Sequence, residues 1–338
     1  MDISEKIARL KFSQLKGYKF SNFLEIIDKF ETIENFFNEN PNLSHSANAQ
    51  RDLLNKLEDI SPNNFVVYGE DDYPKLLADT PYPPIALFYK GDISLCNKKN
   101  LISIVGTRKH SNYGERVTKS IVEGLGKHNF VFISGMALGI DTLVHKYSLV
   151  NKYKTIAVIP SSLEKPMPLS NRRLFNQIAE EGLVFTECLN NFIWNKSVYA
   201  KRNRIIAGLS LSTIVIEAPK KSGSLITANL AFEYNREVYA VPGNIDSTYS
   251  IGTNKLIKDL KAQLFSGVGD IIPGQLDLIS NTESNEILNI LKVEQLDIEQ
   301  ICTALEMDIN TLRNKLLELE INGQICLNAD GKYNIKLL

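Results

Sequence analysis

The chain has 338 residues, 43% of them hydrophobic and 23% charged, and its 38 Lys and Arg side chains nearly balance 39 Asp and Glu. That length exceeds one ordinary core and predicts two or three domains. A net charge of −1 excludes a generally basic protein that coats nucleic acid, so any affinity for a polyanion must come from a local patch. Four scattered cysteines, Cys96, Cys188, Cys302 and Cys326, form no CxxC pair, which argues against a disulfide framework or a zinc site. No apolar run reaches membrane-spanning length, and the opening MDISEKIARLKF has no signal-peptide core. A cytoplasmic protein without membrane contact is expected.

Residues 1–60 are rich in helix formers with apolar residues at helical spacing, as in FLEIIDKFETIENFF, and end in the polar NPNLSHSANAQ and one more short helix. A small helical domain follows. LKGYKF lacks the Gly-x-Gly turn of a helix-hairpin-helix DNA motif. Residues 62–98 read as a loop-rich approach, because the Tyr-Pro and Pro-Pro pairs of YPKLLADTPYPPIALFYKGD favour extended chain and turns. Beyond them, β-branched runs at 101–105, 130–133, 155–159, 183–187, 213–217 and 237–241 alternate with helix-length segments at 112–128, 137–150, 171–181, 203–210 and 224–235. Continuous apolar strands between helices predict a doubly wound α/β domain over 65–275, with a parallel sheet covered on both faces. Residues 283–338 read as three helices and two short strands around the turn ADG, the order of a winged helix.

In an open parallel sheet, ligands bind beyond the carboxyl ends of the strands. The loops at that rim are rich in Gly, Ser, Thr, Lys and Arg, residue types that let backbone N–H groups approach an anion and neutralise it. Gly106-Thr107-Arg108 follows the first strand, and Arg108 can fork two hydrogen bonds onto a phosphate or serve as a solvated turn residue. No G-x-G-x-x-G follows this strand, which disfavours a dinucleotide site. Ser134, Gly135 and Gly139 enter the next helix and could line an anion site. Asp141 and His145, four apart, form either an acid–base or metal pair or, the preferred reading, a helix-pairing and capping set. Lys220 and Lys221 precede Ser222-Gly223-Ser224 at the start of a further helix, which is either a phosphate clamp or ordinary serine capping. Glu217, at a strand end, is a candidate base or, preferentially, a capping residue.

YAKRNRIIAGLS (199–210) concentrates Lys201, Arg202 and Arg204 behind one aromatic, Tyr199. With the helix expected to begin at 203, these cations would oppose its macrodipole unless an anion offsets them. Tyr199 could stack on a base, and such stacking is tolerant of sequence. Cations spread over several loops of one rim suit a chain of phosphates better than a single nucleotide.

Taken together, the stretches YPKLLADTPYPPIALFYKGD, IVGTRKHSNYG, ISGMALGIDTLVH, RNRIIAGLS, IEAPKKSGSLITANLAFEYNREVYAVPGN and GTNKLIKD, in order from about 68 to 259, resemble the DprA/Smf family of DNA-processing proteins of natural transformation. The resemblance implies an extended Rossmann-like domain that binds single-stranded DNA, forms a homodimer and helps load the recombinase RecA, with no enzymatic activity, cofactor or metal. Carried over by position, Arg108, Lys201, Arg202, Arg204 and Lys221 would contact phosphates. Ser134, Gly135 and Gly139 would shape the pocket, and Asn203 would fix this loop or meet the strand. The N-terminal zone resembles the family's SAM-like domain and residues 283–338 its winged helix. Two departures stand out: Tyr199-Ala200 replaces the family's Phe-Pro, and Leu260-Lys261-Ala262 stands where Gly-Ala is common after GTNKLIKD. Residues 283–338 hold ten acidic and five basic side chains, a balance that favours protein contact or support over duplex binding.

The rival reading is a nucleotide-processing enzyme, a phosphoribohydrolase of the lysine-decarboxylase-like group. It would need a PGGxGT-type loop with a catalytic Glu and Arg, and PGNIDSTYSIGTN has neither at that spacing. A third reading is a small-nucleotide sensor whose state the winged helix reports.

Overall fold

The computed structural model describes residues 1–15, 17–41, 64–189, 196–272 and most of 287–335. The short helix expected just before residue 60 lies outside the described residues. The chain divides into two compact units, Met1–Val268 and Gly269–Leu338.

The first unit opens with three helices, α1 (Ile3–Ser13), α2 (Phe20–Phe30) and α3 (Ile33–Glu39). Phe12 packs on Phe23 and Phe36, with ring centroids 5.8 and 6.1 Å apart. The buried Glu5 carboxylate accepts the Ile33 and Glu34 N–H groups at the start of α3, satisfying amides that have no partner within their own helix. Glu5 also pairs with Arg9, which donates to the Tyr68 carbonyl and so fastens the helices to the sheet.

That sheet has nine strands in the order β1-β2-β6-β5-β4-β3-β7-β8-β9. They are β1 (Phe65–Val67), β2 (Ala86–Gly91), β3 (Leu101–Val105), β4 (Val131–Ser134), β5 (Thr155–Val158), β6 (Leu183–Thr186), β7 (Ser212–Val215), β8 (Glu237–Ala240) and β9 (Gln263–Leu264). The one-turn helix α4 (Lys75–Ala78) joins the first two strands, and α5 (Asn112–Gly126), α6 (Ile140–Val150), α7 (Arg172–Glu181), α8 (Lys196–Gly208), α9 (Ser224–Glu233) and α10 (Ile251–Lys258) connect the rest. The six expected strands all form and pair in parallel, each within a residue or two of its expected limits. Every residue of β3 through β6 is buried, as a sheet covered on both faces requires.

Two expectations need correction here. The approach read as loops contains β1 and β2, which extend the sheet in antiparallel sense beyond β6. Pro83 and Pro84 precede Ala86 without entering the strand. The helix expected from 203 begins at Lys196, so Lys201, Arg202 and Arg204 lie in its body. The macrodipole argument for a waiting anion therefore does not apply.

In the second unit, α11 (Ile298–Leu305), α12 (Ile309–Ile321) and the antiparallel pair β10 (Ile325–Leu327) and β11 (Tyr333–Ile335) follow the described part of the first helix. Ile287, Leu291, Ile301, Leu312, Leu316, Leu319 and Ile325 form its core. Among the described residues no helix is long and apolar enough to cross a membrane, and no group of His, Cys, Asp or Glu is placed to hold a metal ion. All four cysteines are free thiols.

Candidate functional site

Strands β4, β5 and β6 lie to one side of β3, and β7 and β8 to the other. The chain therefore changes direction between β3 and β7, where a crevice forms beyond the strand ends. A cleft of about 530 Å³ occupies that position, with Gly106, Thr107, Arg108, Tyr199, Asn203 and Lys221–Ser224 on its walls and Val105, Ile206 and Ile226 among its apolar lining.

Hydrogen bonds between the loops give the cleft its shape. The Thr107 N–H donates to the Glu217 carbonyl at 2.8 Å, and the Thr107 carbonyl accepts the Ile140 N–H at 3.1 Å. Three strand ends are thus tied through one residue. Gly139 has φ +81° and its backbone presses on Thr107 and Arg108, where a Cβ would overlap the Thr107 oxygen; only glycine meets both conditions without strain. Asn203 donates from Nδ2 to the Gly223 carbonyl at 3.2 Å and so binds α8 to the loop before α9. The loop it ties is the one before α9, not the 134–139 loop it was expected to fix. Ser222 and Ser224 bond through their hydroxyls at 2.7 Å, and Ser222 Oγ accepts the Ser224 N–H, so these serines turn the chain into α9.

The cations divide into two groups. Arg108 and Lys221 are exposed on the cleft wall, and the Arg108 guanidinium lies over the Tyr199 ring, 5.0 Å from its centroid. Lys201 is also exposed, but it lines a smaller neighbouring hollow with Thr186, Glu187 and Cys188. Arg202 and Arg204 are placed differently from what the charge run implies. Arg202 is only 6% exposed and donates to the Gly135 and Val158 carbonyls. Arg204 pairs with Glu187 and donates to the Tyr82 carbonyl. Arg204 is committed to the protein itself, whereas Arg202, though mostly buried, still lines the cleft. Ser134 is likewise withdrawn: it is fully buried and its hydroxyl donates to the Ile104 carbonyl at 2.7 Å.

Beneath the cleft lies a buried polar cluster that the charge pattern did not announce. Gly135 makes room for it, since a Cβ there would strike the Arg202 guanidinium and the Asp141 carboxylate. Burial outweighs the neighbouring Arg202 charge and raises the Asp141 carboxyl above its ordinary range. The same burial lowers Arg202 to about 10. His145 is held down to about 3, first by burial and then by the Arg202 charge. The Thr155 hydroxyl donates to the Phe132 carbonyl, so its oxygen must accept from His145 Nδ1, 2.7 Å away, and the ring is neutral with its proton on Nδ1. His145 is fully buried and bonded to Thr155, and Asp141 accepts the Ala137 N–H at the start of its own helix, so both side chains serve packing and capping. Glu217 is equally committed, accepting the Ser111 N–H at 2.9 Å and the Ser111 hydroxyl at the start of α5.

The signal for the inward Arg202 was available in the spacing. Arg202, Ile205, Ile206 and Leu209 are all buried and recur at i, i+3, i+4 and i+7, which is one face of a helix.

Comparison with known proteins agrees with this architecture. A family model described as DNA recombination-mediator protein A matches residues 64–274, and one described as DprA winged helix domain matches 275–331. Protein Smf of Synechocystis is 36% identical over 98% of each chain. DNA processing protein DprA of Bacillus subtilis is 38% identical over 58% of this chain and 66% of its own. The X-ray structure of DprA from Streptococcus pneumoniae aligns with a TM-score of 0.66 and 31% identity over 81% of this chain and 99% of that one. A Helicobacter pylori DprA structure, described for its single-stranded DNA binding mode, aligns at 0.56 and 29% identity over 62% and 94%. This chain belongs to the DNA recombination-mediator protein A family, the DprA/Smf proteins.

Proposed function

We propose that the cleft beyond β3 and β7 binds single-stranded DNA, and that the protein acts as a binding protein with no covalent step of its own. The observation that carries this reading is the pairing of exposed cations with a flat ring on one preformed wall: Arg108 over Tyr199, with Lys221 on the loop into α9. Guanidinium and ammonium groups attract phosphates by releasing counterions, and aromatic rings beside such a groove accept any base. The single-strand binding mode described for the Helicobacter pylori relative supports the same reading. The two acid–base candidates of the sequence, Glu217 and His145, are taken up by a helix cap and by packing, which favours binding over catalysis.

In this role the protein protects incoming single strands in natural transformation and passes them, as a homodimer in the cytoplasm, to RecA. Two clefts on one strand would raise avidity through effective concentration. The direct test compares oligonucleotides of increasing length with mononucleotides as competitors. A track gives affinity that climbs with length until the footprint is filled, whereas a nucleotide-enzyme pocket would be saturated by the mononucleotide. RecA transfer is tested by the lag in RecA filament growth on strands coated with single-strand-binding protein; this chain should shorten it.

A further inference from the structure

The second unit has the element order of a module that often reads duplex DNA, yet its outer surface is unlike a phosphate-facing one. Ten of the chain's 39 acidic side chains and five of its 38 basic ones fall in residues 283–338, leaving 33 basic against 29 acidic in the remainder. The negative charge is thus concentrated in the smaller unit. Helix α12 turns Leu312, Leu316 and Leu319 into the core. The stripe beside it, Arg313, Leu317 and Glu320, spaced at i, i+4 and i+7 and about 100° round the helix, is exposed. This stripe forms one side of a groove of about 680 Å³ whose other side comes from Ile298 and Glu299 at the start of α11 and Leu327 at the end of β10. Leu317 and Leu327 are 56% and 49% exposed, so the groove carries two large exposed apolar side chains.

Exposed apolar side chains set among charged ones describe a protein-docking surface. Glu299 and Glu320 outnumber Arg313 there, and Asp297 adds a third carboxylate whose oxygen also caps α11 through the Gln300 N–H. For duplex DNA this placement is repulsive, because each phosphate contact requires a cation. For a helix with a leucine-rich face bordered by lysines it is complementary in both respects.

We infer that the groove between α11, α12 and the β10 end is a docking site for a basic amphipathic helix of a partner protein. Leu317 and Leu327 would receive the apolar face, and Glu299 and Glu320 would pair with its flanking lysines. The site is separate from the DNA cleft and does not depend on the cleft's assignment.

The experiment uses the full-length protein and a fluorescent helical peptide with one leucine face and one lysine face. Three other probes accompany it: the same composition in scrambled order, the peptide with Glu for Lys, and a labelled duplex oligonucleotide. The amphipathic basic peptide should bind at least about tenfold more tightly than the scrambled one. Leu317→Glu and Glu320→Lys, both on exposed positions, should each weaken it by about tenfold or more while leaving single-stranded DNA binding unchanged. Equal affinity for ordered and scrambled peptides, or binding indifferent to both substitutions, would overturn the inference. Duplex binding that Leu317→Glu abolishes would overturn it as well, in favour of a DNA-reading groove.

Discussion

The guanidinium of Arg108 lies over the ring of Tyr199, 5.0 Å from its centroid, joining the turn after β3 to the first half of α8. Such a contact holds a long side chain in one place and contributes about 0.5–1 kcal/mol at an exposed site. On the proposed reading, Tyr199 would serve DNA binding partly by presenting Arg108, a role distinct from stacking on a base. Arg108→Ala and Tyr199→Ala are each expected to weaken single-strand binding, and the double variant should lose less than the sum of the two. Tyr199→Phe keeps the ring and should stay near the parent. The check is a double-mutant cycle by fluorescence anisotropy, repeated on an abasic oligonucleotide to separate stacking from positioning.

Arg202, named by the charge run as a phosphate ligand, is expected to behave as a core residue. Its removal leaves the Asp141 carboxylate buried beside an empty site and strips a donor from the Gly135 and Val158 carbonyls. Leaving buried carbonyls without their donor typically costs about 1–3 kcal/mol. Arg202→Ala should therefore lower the denaturation midpoint sharply, whereas Lys201→Ala, fully on the surface, should leave it within about 0.5 kcal/mol. Urea unfolding of the two variants side by side decides between a structural and a ligand-binding arginine.

Stability should also carry an acid limb from His145. The unfolded imidazole takes up a proton near pH 6.5, the buried one only near pH 3, so between these values the unfolded chain binds more protons. This contribution is complete above pH 6.5 and is lost as the pH falls towards 3. Asp141, raised by burial, works in the opposite sense over the carboxylate range. Comparing parent with His145→Gln isolates the histidine: the variant's unfolding midpoint should fall less steeply between pH 6.5 and 3.

Leu260 adopts φ +55° and is 86% exposed, yet the turn closes, with the Lys261 and Ala262 N–H groups both reaching the Leu256 carbonyl. The departure from Gly-Ala is thus accommodated by placing a leucine in the left-handed region. Leu260→Gly relieves that strain at some cost in chain entropy. A net gain of about 0.5–1 kcal/mol is expected, read as a small rise in Tm.

The parallel sheet was legible because its strands are continuous apolar runs, LISIV and TIAV among them, and burial on both faces produces no other pattern. Strands β1 and β2 were obscured by prolines that lie just outside them; Phe65–Val67 and Ala86–Tyr89 are as apolar as any strand in the sheet. The rim residues Arg108 and Lys221 could be located from the order of strands and loops alone. What sequence distance concealed were the bonds from Arg202 to the Gly135 and Val158 carbonyls, which lie more than forty residues away along the chain. The spacing of Arg202, Ile205, Ile206 and Leu209 marks one helix face, but only if Arg202 lies inside the helix; with the start expected at 203 it fell outside, and α8 in fact begins at Lys196.

The central claim is that the exposed cations of the cleft form a track for a single strand. Anisotropy titrations of a labelled single-stranded oligonucleotide and its duplex, at several salt concentrations, test it most directly in the parent, Arg108→Ala and Lys221→Ala proteins. The account predicts preference for the single strand and, in each variant, weaker binding with a salt slope reduced by about one. Unchanged affinity and slope in both variants, or equal binding of duplex, would place the strand elsewhere and contradict it.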